Sequence, residues 1–198
     1  MPIRRPTLFI LVLAFVAAGC AGTRQILNSD MIKDTFGSYG VRILLADGNR
    51  RVSSLYSLGP DGPVTRTYAV VDFIGEPRPA YAVEHRRILA GGSIGETFRR
   101  AGWRIDKQNL FVGELEVPPE YRDIGELMHI TLPATLAVQQ YLLTISKDER
   151  SWNYAIVTEI HHPAYLDAAA LKRLYGEILL DDSNRDTLHD FIGPPITN

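Results

Sequence analysis

Between residues 39 and 180 the apolar positions fall into short runs of period two, interrupted by clusters of Gly, Pro, Asn and Asp. Residues 41–46 are mostly apolar, and the Asp47-Gly48 that follows is a strong hairpin signal, since tight hairpin loops need residues that tolerate positive φ. In 52–58, Val52, Tyr56 and Leu58 share one side of an extended chain while Ser53 and Ser57 share the other. Gly59-Pro60-Asp61-Gly62-Pro63 reads as a turn, and 64–73 as the third strand of a meander. Pro77 and Pro79 break the pattern; residues 81–89 then read as a fourth strand, and 103–105 and 110–117 as further extended segments. The segments 135–146 and 152–160, rich in aromatic and β-branched residues, read as long strands joined at Asp148-Glu149-Arg150.

Helical spacing occurs in fewer places. Gly91-Gly92-Ser93 leads into a short helix over 94–101, closed by Gly102, and Pro118-Pro119 opens a turn or short helix ending near Met128. The strongest helical pattern is 166–179, with Leu171, Leu174, Tyr175 and Ile178 on one face and Lys172 and Arg173 on the other. Upstream, Ile26, Leu27, Met31, Ile32 and Phe36 have rough helical spacing, which allows a docking helix within a tether over 20–38. Strands outnumber helices and come in runs, so the expected fold is α+β: an antiparallel β-sheet with two main helices on one face. The expected division is one domain over 39–180 and a polar tail over 181–198.

Composition narrows this little. Of 198 residues, 45% are apolar and 22% charged, which excludes fibrous and disordered classes. A formal net charge of -2 argues against nucleic acid as a partner. The single cysteine excludes an intramolecular disulfide and a cysteine-cluster zinc site.

That cysteine matters for another reason. Arg4 and Arg5 form a positive head, residues 8–18 an unbroken apolar run, and Ala17, Ala18 and Gly19 a small-residue neck before Cys20. A charged head, an apolar core of about 7–15 residues and a small-residue cut site make up a secretory signal. With Cys20 directly after the neck, the segment resembles the lipobox-type signal peptides of bacterial lipoproteins, although Ala17 stands where Leu is usual. The resemblance implies removal of residues 1–19, a diacylglyceryl thioether on Cys20 and acylation of the new amino terminus, palmitate included. It also implies attachment to the membrane through lipid. Ala21 is not the aspartate that retains some lipoproteins at the inner membrane, so the implied place is the outer membrane facing the periplasm. No cofactor is expected, and any protein partner is left open.

Three constellations carry candidate chemistry. Gly91-Gly92-Ser93-Ile94-Gly95 matches the nucleophile-elbow pattern, which makes Ser93 a catalytic candidate for a lipid-tethered hydrolase. The same residues read more simply as a helix cap, with Ser93 accepting from the Glu96 amide and Glu96 reaching back. Glu159, His161 and His162 are candidate metal ligands, Glu159 and His161 sharing one face of a strand, yet a metal centre needs about three or four ligands. His85, beside Glu84, Arg86 and Arg87, reads as a solvated strand end. Tyr141, Trp152 and Tyr154 read as sheet packing, with an aromatic cleft for a lipid or glycan as the alternative. No complete catalytic set stands out, so the expected role is that of a non-enzymatic interaction module in envelope assembly, transport or maintenance.

Overall fold

The computed structural model describes residues 27–179 and 187–196. The signal-type segment, Cys20 with its expected lipid, and 180–186 of the expected tail lie outside the described residues. Six strands alternate with turns as the pattern requires: β1 (Gly40–Asp47), β2 (Arg50–Gly59), β3 (Gly62–Phe73), β4 (Arg104–Val117), β5 (Ala134–Lys147) and β6 (Arg150–His161). They form one antiparallel sheet in the order β1-β2-β3-β6-β5-β4. Two three-stranded units, β1–β3 and β4–β6, therefore meet where β3 pairs with β6, with Val70 opposite Thr158.

The hairpins follow from local chemistry. Asp47 pairs with Arg50 across a two-residue loop in which Gly48 takes φ 50°, a conformation that costs glycine little. At the other hairpin Lys147 pairs with Arg150, and Asp148 and Glu149 both take positive φ, as a tight I′-type loop demands of any residue placed there.

Among the described residues six α-helices complete the fold: α1 (Asn28–Phe36), α2 (Ala82–Leu89), α3 (Ile94–Arg100), α4 (Arg122–Met128), α5 (Ala168–Tyr175) and α6 (Leu188–Ile192). On one face of the sheet, Val71, Phe73, Ala155 and Val157 pack against Ile88 of α2 and Phe98 of α3. Leu171 of α5 continues this layer over Val112 and Ala137. On the opposite face Tyr68, Val70, Val138 and Ile160 pack against Ile124 and Met128 of α4 and Leu188 and Phe191 of α6. The fold is thus mixed α+β around an antiparallel sheet. The helices expected at 94–101 and 166–179 do lie over the same face, but α1 and α2 join them, and α4 and α6 cover the other.

Several expectations change. Residues 81–89 are a short 3-10 turn and α2, not a strand: Tyr81, His85 and Ile88 are buried at helical spacing, and Pro79 sits in the first turn. α5 stops at Gly176, which takes φ 77°, so the strongest helical pattern yields eight residues; Ile178 beyond it bridges to Val112 on the β4 edge. Leu174, expected on the packed face, is 53% exposed, whereas Leu171 is fully buried. The domain also takes in segments assigned to tether and tail. Ile32 of α1 is fully buried, and Leu188, Phe191 and Ile192 of α6 are buried too; the start of α6 is a capping box of Thr187 and Asp190.

Candidate functional site

α1 lays its first turn across the centre of the sheet. Strand register places Thr67, Ala69 and Val71 of β3 opposite His161, Glu159 and Val157 of β6, which face Ala137, Gln139 and Tyr141 of β5. Asn28 reaches down onto this surface. Its Nδ2 donates to Glu159 Oε1 at 3.2 Å and to Thr67 Oγ1 at 3.1 Å, and its Oδ1 accepts from the Tyr165 hydroxyl at 2.5 Å. The Tyr141 hydroxyl also donates to Glu159 Oε1, at 3.2 Å. Thr67 Oγ1 in turn lies 3.1 Å from His161 Nδ1. A polar chain Glu159–Asn28–Thr67–His161 therefore crosses the middle of this layer.

Burial sets the electrostatics of this chain. Glu159 is 6% exposed, and a carboxylate withdrawn from water needs donors, which Asn28 and Tyr141 supply. Burial, then the Glu159 charge, raise the Tyr141 pKa well above the usual tyrosine range. Burial pushes the His161 imidazolium down to about 4, although Glu159 acts in the opposite sense. The ring is neutral at neutral pH, and its Nε2 is buried without a hydrogen-bond partner.

Beside Asn28 a cleft of about 70 Å³ opens between α1, the start of α3 and the sheet. Leu27, Val41, Leu55, Ile94, Ile105 and Leu143 make its walls apolar. Into it also come Arg51, Lys107, Tyr39, Ser93 and Glu159. Arg51 is 2% exposed; its Nη1 donates to the Gly92 carbonyl at 3.0 Å, and its Nε has no hydrogen-bond partner. Among the described residues no carboxylate forms an ion pair with it. Burial accordingly lowers the Arg51 pKa. The Tyr39 hydroxyl, hydrogen-bonded to Ser93, is pushed up to about 12 by burial, against the pull of the Arg51 charge. Lys107 Nζ stands 4.1 Å from the centre of the Tyr141 ring.

The candidate residues are distributed as follows. Ser93 caps α3, accepting from the Glu96 amide at a long 3.5 Å, while the Glu96 carboxylate pairs with Arg100 at 2.5 Å. Glu159 and His161 do share a face, but their hydrogen bonds run to Asn28, Tyr141 and Thr67. His162 Nδ1 accepts from the Ala164 amide at 2.9 Å, bracing the exit from β6. Among the described residues no three His, Cys, Asp or Glu side chains gather as a metal centre. His85 is buried, not solvated: its Nδ1 lies 2.9 Å from the Tyr154 hydroxyl and its ring meets Phe73 edge-on at 4.7 Å. Tyr154 sits at a register shift between β5 and β6 and packs with Ala155 and Val157 on the same face, amid Phe73, Tyr81 and Phe98.

Sequence reasoning missed Asn28, Tyr39, Arg51 and Thr67. In β2 alternation set Ser53 and Ser57 on the side opposite Val52 without saying what covers it, and Arg51, Ser53 and Ser57 are all buried. Arg51 preceding Val52 in an alternating strand was the available signal, and it pointed inward only once helices covered that face. Comparison of the chain with protein-family models, with curated proteins and with solved structures finds no match.

Proposed function

We propose that this chain is a bacterial lipoprotein, anchored by lipid on Cys20 in the outer membrane facing the periplasm, whose domain serves as a non-enzymatic interaction module in envelope assembly, transport or maintenance. The observation that carries the reading is the coincidence of Arg4-Arg5, the apolar run 8–18, the small neck and Cys20. Acyl chains contribute about 0.8 kcal/mol per buried CH₂, and two or three chains hold a domain firmly where one holds it marginally.

The start of the fold bears on what such an anchor would do. Leu27 is buried, and it stands seven positions after Cys20. A fully extended chain of that length spans no more than about 25 Å. The domain would therefore work close against the bilayer. Ser93, engaged as a cap and with Tyr39, supports a binding role over hydrolysis. A cavity of about 70 Å³ does not favour a carrier of whole lipids, which would need at least ~300 Å³.

The test is membrane partition of the expressed full chain. Wild type should enter the detergent phase and take up labelled palmitate, and Cys20→Ser should do neither. Recovery of Cys20→Ser in the detergent phase at the wild-type level would remove the anchor from this reading.

A further inference from the structure

We propose that the cleft beside Arg51 is a binding site for a small apolar monocarboxylate, with the carboxylate on the Arg51 guanidinium and the hydrocarbon body between Leu27, Val41, Leu55 and Ile105. The inference does not depend on the lipid anchor. Its first support is the state of Arg51 itself. A guanidinium that is 2% exposed, holds one backbone carbonyl through Nη1 and leaves Nε unpartnered is, among the described residues, a buried charge without a counter-ion. Such a charge is costly in a protein interior unless an anion meets it. The planar fork of Arg matches a carboxylate through two parallel N–H···O bonds.

The surroundings fit the same ligand. Tyr39 and Ser93, two hydroxyl groups in the lining beside Arg51, can donate to the oxygens of a bound acid. The walls are aliphatic, so the remainder of the ligand is hydrocarbon and not sugar or phosphate ester. The charged lining residues are Arg51, Lys107 and Glu159, a net positive set. Glu159 does not compete for the Arg51 end, since its Oε1 is already held by Asn28 and Tyr141. It instead disfavours a second negative charge deeper in the cleft, which selects a monoanion. At about 70 Å³ the cleft takes a small ligand, so acids of about four to six carbons suit it.

The experiment is calorimetric titration of the full-length protein in detergent with acetate, butyrate and hexanoate, which remain in the aqueous phase. Hexanamide is the neutral control and inorganic phosphate the anion control. Hexanoate should bind about tenfold more tightly than hexanamide, acetate or phosphate. Arg51→Met should lose at least that factor, and Arg51→Lys should retain part of it. Should Arg51→Met fail to fold, Leu55→Trp, which fills the cleft from its apolar wall, should abolish binding with the thermal transition intact. Equal binding of hexanoate and hexanamide would overturn the proposal, as would equal binding of phosphate or undiminished binding by folded Arg51→Met or Leu55→Trp.

Discussion

Asn28 and Glu159 stand 131 positions apart in the chain and 3.2 Å apart in space. One amide side chain thus fastens the first turn of α1 to the central strand β6. Its second donor contact, to Thr67, fastens the same turn to β3, and its oxygen receives the Tyr165 hydroxyl. The exposed pair Arg99–Asp30 at 2.9 Å adds little, since both side chains are near 40% exposed and screened by water. The attachment of α1 rests chiefly on Asn28 and on the burial of Leu27 and Ile32.

Asn28→Ala should therefore cost about 1–3 kcal/mol, because it strips a donor from a buried carboxylate and orphans the Tyr165 hydroxyl. Urea denaturation reads the cost, and limited proteolysis should cut within α1 earlier than in wild type. A midpoint and a cleavage rate equal to wild type would show that α1 is held by its apolar residues alone.

The two leucines of α5 should separate cleanly. Leu171 is fully buried over Val112 and Ala137, so Leu171→Ala should cost about 2–5 kcal/mol. Leu174 is 53% exposed, and Leu174→Ala should change stability by less than about 0.5 kcal/mol. Thermal melts of the two variants, side by side, decide it; equal shifts would mean that α5 is rotated on the sheet.

His161 makes stability depend on pH. Burial lowers its folded-state pKa to about 4 from an ordinary value of 6.5, so between these values the unfolded chain binds the proton and the folded one does not. Its contribution is complete above pH 6.5, declines as pH falls through the window, and is gone below about 4; at full size it is on the order of 3 kcal/mol. His85 and His162, also lowered by burial, act in the same sense. His161→Gln should thus flatten, without abolishing, the loss of melting temperature between pH 6.5 and 4. An unchanged slope would show that His161 is not neutral and buried in solution.

Period-two alternation and turn residues are properties of a few neighbouring positions, and they sufficed for the strands. The hairpins at Asp47-Gly48 and Asp148-Glu149 and the long pair β5 and β6 can all be read from adjacent residues. The cap at Ser93 is equally local. Residues 81–89 failed because their polarity fits either period, and the choice was made by Tyr81, His85 and Ile88 finding a shared apolar surface on the sheet.

What lies inward was decided by covering both sheet faces. Alternation sorts β2 into two sides, but it does not say whether the polar side meets water; α1 and α3 buried Arg51 and Ser53 there. The cleft and the Glu159–Asn28–Thr67–His161 chain draw on α1, β2, β3, β5 and β6, so no window of sequence contains them. The amino acids determined the strands and turns through local sterics and hydropathy. The site arose from long-range packing, because burial is what turns an ordinary Arg, Asn or Glu into a costly group that must find a partner.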